Sequence, residues 1–217
     1  SEIFEGVSEI RIEAGSLDLT LRPSDDRQVT VEYYKYDRLV CSFSPENGRL
    51  TAARKSDGYL PPFLQTGSIT VFVPRDFDGP VGIRSSSGDV NIENLSAKGS
   101  LSVHTASGDI DALGLKTGGD LELQSASGDI DVNRAAAGGR MSIRSASGDI
   151  AAHDLVSGDK LGMTAASGDI EVKKVTAGGN FEAQTASGDI EVIDCAAGMK
   201  MRLSSASGDI VAKSAAA

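Results

Sequence analysis

The phrase ASGDI, with small changes, returns every twenty residues through most of this chain. Close copies begin at Thr105, Ser125, Ser145, Ala165, Thr185 and Ser205, and a looser SSSGDV begins at Ser85. A period this strict requires a repeating unit of structure, because unrelated elements have no reason to share a length.

Each unit can be numbered from its first residue. Position six reads Val90, Ile110, Ile130, Ile150, Ile170, Ile190 and Ile210, and position eight reads Ile92, Ala112, Val132, Ala152, Val172, Val192 and Ala212. Position eleven reads Leu95, Leu115, Ala135, Leu155, Val175, Cys195 and Ala215. Positions seventeen and nineteen are apolar too, from Leu101 and Val103 to Met201 and Leu203. Positions seven, eighteen and twenty are mostly polar. An apolar step of two is the strand period. Each unit is therefore expected to be strand, turn, strand, turn. One turn is Gly-rich, as at Gly118-Gly119, and the other is SGD itself. Glycine is expected there for its unusual dihedrals, and Ser and Asp for bonds to nearby amides of their own turn.

A single such coil cannot stand alone. Burying its five apolar side chains contributes about 10 kcal/mol gross. Ordering its twenty residues costs about 20–40 kcal/mol. Stacking identical coils in register resolves the deficit, since neighbours then share core and backbone hydrogen bonds. The expected fold is all-β: a single-stranded β-solenoid (β-helix or β-roll) with ~20-residue coils and two strands per coil. Coils spaced ~4.8 Å apart give a rod of about 30 Å. A long antiparallel meander would place equivalent residues two strands apart, and strict column identity would then have no cause.

Residues 85–217 form the regular part. Residues 1–84 are expected to be an irregular β region of the same domain that caps the solenoid's N-terminal edge. EIRIEAGSLDLTL reads as a diverged coil, with AGSLDL in the place of ASGDI. GSITVFVPRDFDGPVGIR is about one coil long and runs into SSSGDV. QVTVEYYKY, RLVCSF and GRLTAA alternate as strands, SPENG is a turn, and YLPPF a loop. The C-terminal VAKSAAA offers no obvious cap, so self-association through an open final coil is expected, or a chain that continues.

The ASGDI repeats, following a region of the type IRIEAGSLDLTLRPSDDRQVTVEY and a VFVPRDF lead-in, resemble the bacterial "putative adhesin" family of SGD-repeat β-solenoid surface proteins. The resemblance covers almost the whole chain. It implies a secreted or envelope-anchored location and a non-enzymatic role. It supplies no catalytic or ligand residues.

The formal charge of −10 disfavours phosphate backbones and anionic lipid as partners, so no nucleic-acid binding is expected. No stretch approaches ~18 continuous apolar residues, so no membrane span is expected. The chain begins at Ser1 rather than Met, consistent with removal of an N-terminal segment. An anchor to the envelope would lie in a segment not present here. Cys41 and Cys195 are expected to be buried free thiols.

The repeat also raises questions of chemistry. Asp89, Asp109, Asp129, Asp149, Asp169, Asp189 and Asp209 would form a ladder of carboxylates ~4.8 Å apart. Such a ladder suits Ca²⁺, but the repeat lacks the GGxGxDxUx pattern of calcium β-rolls. The expectation is a solvated corner with no metal and no cofactor. RDFDGP lacks the third acidic ligand and distal Glu of a calcium loop, and reads as a turn. His104 and His153 fall in solvent-facing columns, and no GxSxG, HExxH, P-loop or CxxC is present. An exposed Ser/Thr ladder at the corner would resemble an ice-binding face, but Thr occupies it only at Thr105 and Thr185.

The residues and the resemblance together suggest a non-enzymatic surface protein contacting an unidentified protein or glycan. The alternative is an envelope module that self-assembles and binds no outside ligand.

Overall fold

The structure is a computed structural model and describes residues 1–33, 39–44, 46–54 and 67–217. Tyr34, Tyr36 and the YLPPF segment lie outside these. Among the described residues there is no helix, and so none long and apolar enough to cross a membrane.

The repeats form a β-solenoid. In each coil, positions six to nine enter one sheet (sheet A), and positions seventeen to twenty, with position one of the next coil, enter the other (sheet B). In sheet A, β9 (Val90–Glu93), β12 (Ile110–Leu113), β15 (Ile130–Ala137), β17 (Ile150–Ser157), β19 (Ile170–Ala177), β21 (Ile190–Ile193) and β24 (Ile210–Lys213) follow one another in parallel. In sheet B, β8 (Val81–Ser85), β11 (Leu101–Thr105), β14 (Leu121–Ser125), β16 (Met141–Ser145), β18 (Leu161–Ala165), β20 (Phe181–Thr185) and β23 (Met201–Ser205) do the same. Every pairing joins a residue to the one twenty positions on, as Ile130 to Ile150 and Leu121 to Met141.

This register places like above like, and the columns become the core. Ile110, Ile130, Ile150, Ile170 and Ile190 are at most 1% exposed. Phe181 is fully buried at position seventeen, where other coils carry Leu or Met. Position thirteen is a further inward column, from Ala97 through Thr117 and Ser157 to Ala197, which the sequence reading did not assign.

The sheet A strand bends at position ten. There Asn94, Arg134, Asp154, Lys174, Asp194 and Ser214 have φ between 51° and 57°, and Gly114 has φ 69°. Residues on either side of the bend both point inward, so positions eight and eleven are buried although three apart. Asn, Asp and Gly tolerate this left-handed backbone; Arg134 and Lys174 carry its steric cost.

The repeat glycines have a different reason from the one expected. Those of SGD and of position fourteen do not have positive φ. They are there because coils approach closely. A Cβ on Gly148 would lie 2.2 Å from the carbonyl oxygen of Gly128, and one on Gly138 would lie 2.3 Å from that of Gly118.

The first 84 residues extend both sheets in an order that differs from the sequence. β2 (Glu9–Gly15) lies beside β8 in sheet B, and β3 (Asp18–Ser24) beside β9 in sheet A. β6 (Arg49–Arg54) and β7 (Ser68–Pro74) lie outside them, pairing in parallel with β2 and β3. The chain thus lays down its second layer first, builds the outer layer, and crosses back from β7 to β8. β5 (Leu39–Ser44) then pairs antiparallel with β6. On sheet A, β4 (Val29–Tyr33) pairs antiparallel with β7, and β1 (Glu2–Phe4) with β4. At the other end, β23 and β24 are the last strands of their sheets. There Ile210 is 43% exposed and Val211 41%.

Candidate functional site

The SGD corner is the one motif shared by all seven coils, and its geometry follows from the stack. Its Ser-Gly turn brings Asp to the outer edge of sheet A immediately before the first core residue. The amide of each Asp donates to the side-chain carboxylate of the Asp one coil earlier, at 2.7–3.0 Å from Asp109 to Asp209. The expectation that each Asp bonds within its own turn is corrected: the acceptor serves the next coil. A charged acceptor on a backbone amide is a strong bond, and it offsets the repulsion along the ladder. The ladder also begins earlier than the repeats suggest, because Asp89 donates its amide to Asp18 at 3.0 Å. The alignment of AGSLDL with ASGDI was the signal for it.

The first residue of each motif points inward rather than out. Ser125 Oγ donates to the Gly108 carbonyl at 3.2 Å and accepts from the Gly128 amide at 2.7 Å. Ser145 repeats both bonds. Ser85, Thr105, Ser125, Ser145 and Thr185 are all buried. The hydroxyls at this position are therefore not part of an exposed face, and the exposed serines of the corner are the position-three column from Ser87 to Ser207. The small residue is needed because an inward hydroxyl must satisfy a buried carbonyl and amide.

On the outer face of sheet A, Asp111 and Asp131 stand at position seven beside the ladder. Burial first, then the charges of Asp131, Asp109 and Asp89, push the Asp111 carboxyl up. Glu171 is held down by Lys173, and Glu93 by Arg22 at 2.9 Å. Among the described residues, no group of three or more His, Cys, Asp or Glu is placed to hold a metal ion.

His104 and His153 are partly exposed on opposite sheets and do not meet. His104 Nε2 lies 3.9 Å from Glu122. Both cysteines are free. Cys195 is buried at position eleven, while Cys41 is only half-buried, a correction to the expected full burial. Burial pushes the Cys41 thiol up to about 11, so it is protonated at neutral pH. RDFDGP is a turn region in which Arg75 pairs with Asp25 at 2.7 Å and Phe77 is buried.

These features define a parallel two-sheet β-solenoid whose motif residues hold the stack together. The Toastrack DUF4097 family model matches residues 7–216, and the chain belongs to that family. No curated protein matches. Among solved structures, a putative adhesin from Bacteroides fragilis aligns at 13% identity and TM-score 0.52, over 99% of this chain and 94% of its own. A putative cell adhesion protein from Clostridium sporogenes aligns at 10% identity and TM-score 0.40, over 98% and 97%. The first similarity is one of fold.

Proposed function

We propose that this protein is a non-enzymatic β-solenoid, displayed on the cell surface or secreted, that contacts an outside protein or glycan through its flat outer faces. The observation that carries this reading is the twenty-residue register of the outward columns. It presents rows of side chains at one coil spacing on a rigid rod, a surface suited to repeated weak contacts that sum through multivalency. Membership of the Toastrack family and the name of the Bacteroides fragilis fold neighbour support it. A screen of fluorescently labelled protein against arrayed glycans, matrix proteins and bacterial cell-wall fragments, with and without Ca²⁺, tests it. Reproducible retention on any of these surfaces is expected. Silence across all of them sinks the reading.

A second reading is favoured by one observation. The final strands carry exposed Ile210 and Val211 on open sheet edges, a surface on which another chain can add strands. In this reading the protein is an envelope module that assembles through that end. Concentration-dependent oligomers in sedimentation, lost with Ile210→Lys/Val211→Lys, would select it.

A further inference from the structure

We propose that the C-terminal half of the sheet B face binds a linear polysaccharide bearing carboxylates. This rests on the surface-contact reading above and names the chemistry of the partner.

The net charge of −10 is unevenly divided. In the seven SGD coils, positions five, seven and nine face outward on sheet A and carry twelve acids against two lysines. Positions sixteen, eighteen and twenty, from Ser100 to Ser204, face outward on sheet B and carry three acids against five cations. Those cations are Arg140, Arg144, Lys160, Lys200 and Arg202, gathered on β16, β18 and β23 or at the residue leading into them. Two of the acids, Asp120 and Glu122, lie one coil earlier, on or just before β14, at the edge of this group. The third, Glu182, is already paired with Lys160 at 2.6 Å. Arg144 reaches Glu122 at 3.3 Å, and the Arg140 amide donates to the Asp120 carboxylate at 2.8 Å, while among the described residues its guanidinium makes no ion pair. Net charge therefore hides a basic face.

The shape of this face suits an extended chain. Gly162 leaves a gap at position eighteen, where an added Cβ would meet nothing nearer than 3.9 Å. Around it lies a shallow depression of about 410 Å³, lined by Ser142, Thr164 and Gln184 and by the cations Arg140, Arg144 and Lys160. Asp120, Glu122 and Glu182 are among its lining as well, so the excess of positive charge comes from Lys200 and Arg202 beyond it. Guanidinium forks pair with carboxylates in a planar, two-bond geometry. The hydroxyls and amides beside them match sugar hydroxyls. No aromatic side chain faces outward here, so stacking of neutral sugar rings is not the basis of recognition. One pyranose unit is about as long as one coil step of ~4.8 Å, so a chain lying along the rod meets the same donors repeatedly. Packed sheets stand ~10 Å apart, more than the Debye length of about 8 Å at physiological salt. At physiological salt the acids of sheet A, which project into solvent on the opposite side, act on a ligand at sheet B more weakly than the cations it touches.

The test uses polygalacturonate and its fully methyl-esterified, uncharged form. Affinity is measured at low and physiological ionic strength for the whole chain and for Arg140→Glu/Lys160→Glu/Lys200→Glu. A control variant, Lys98→Glu/Lys116→Glu/Lys174→Glu, carries the same charge change away from the sheet B strands. The expected result is binding of the acid form only, weakened by salt, and reduced about tenfold or more by the sheet B variant but not beyond about twofold by the control. All altered side chains lie at the surface, and unchanged thermal melting confirms folding. Absence of binding at low salt, equal binding of the ester, or equal loss in both variants overturns the proposal. So does salt-sensitive self-association abolished by the sheet B variant alone, which would make the acidic face of a second copy the occupant. Adhesion to other arrayed surfaces without polygalacturonate binding would remove this inference and leave the surface-contact reading standing.

Discussion

The backbone amide of Asp129 donates to the side-chain carboxylate of Asp109, one coil earlier, at 2.8 Å. This single relation, repeated along the rod, explains why Asp follows Gly at every corner. What the position requires is an acceptor of the right length.

Asp149 tests that statement, because it accepts from the Asp169 amide at 2.8 Å. Asp149→Asn keeps an acceptor oxygen and removes a like charge, so stability is expected to change by less than about 0.5 kcal/mol. Asp149→Ala removes the acceptor and is expected to cost about 1 kcal/mol. Urea unfolding of both variants separates the two effects; equal losses would show that charge, not acceptance, matters.

Ile150 is 1% exposed between Ile130 and Ile170. Ile150→Ala is expected to cost about 3 kcal/mol through the cavity it leaves. Ile150→Asp would place an unpaired charge in the stack and should abolish folding. Circular dichroism of the purified variants is the check, and a parent-like melt for the Asp variant would mean the core column is misplaced.

Gly148 belongs to the SGD column and Gly162 is a lone glycine at position eighteen, and their surroundings are opposite. A Cβ at Gly148 would strike the Gly128 carbonyl at 2.2 Å, whereas one at Gly162 has open space to 3.9 Å. Gly148→Ala should therefore cost about 3 kcal/mol. Gly162→Ala should be neutral or stabilising by about 0.5 kcal/mol, since alanine restricts the unfolded chain. Thermal or chemical denaturation of the pair would reveal the contrast.

Ala165 interrupts the buried hydroxyl column between Ser145 and Thr185, and is 3% exposed. Its coil lacks the hydroxyl that at Ser125 and Ser145 bridges two glycine backbones. Ala165→Ser is expected to add about 1 kcal/mol of stability. A loss instead would show that the space is filled too tightly to admit the oxygen.

Asp111 has its carboxyl pushed up by burial and by neighbouring acids. Between the ordinary carboxylate value and the raised one, the folded state holds more protons than the unfolded, so stability falls as pH rises through that window. Asp111→Asn should then raise the melting temperature at neutral pH. The gain should shrink as pH falls and vanish once Asp111 is protonated in both states. A gain independent of pH would assign the effect to packing.

Much of the fold was legible because the repeat is strict. The apolar columns through Ile150, Ala152 and Leu161 could be read from spacing alone, since strand periodicity fixes which side chains face inward. Other features lacked such a signal. Ser125 and Ser145 are polar by type, and only the stack shows that their partners are glycine backbones across a coil boundary. The left-handed residue at position ten is variously Asn, Gly, Arg, Asp, Lys and Ser, so residue identity does not mark it. Glycines were read for dihedral freedom, when closeness between coils was the cause. The crossing from β7 past β3 to β8 depends on long-range pairing, which local patterning does not encode. The basic face of sheet B was obscured because Arg140, Lys160 and Lys200 are twenty to sixty residues apart in sequence and share one column only through the register.

The register has one more outcome. Every strand pairing between the repeat coils sets a position beside its equivalent twenty residues on, and the Asp ladder keeps the same step. If residues 110–129 were excised, Asp109 would be followed directly by Ile130, and the Asp149 amide would find Asp109 where it now finds Asp129. Neither end of the rod would register the change. A lineage carrying this chain can thus adjust how far the protein reaches in whole steps, by gaining or losing coils, while leaving every joint it keeps chemically the same.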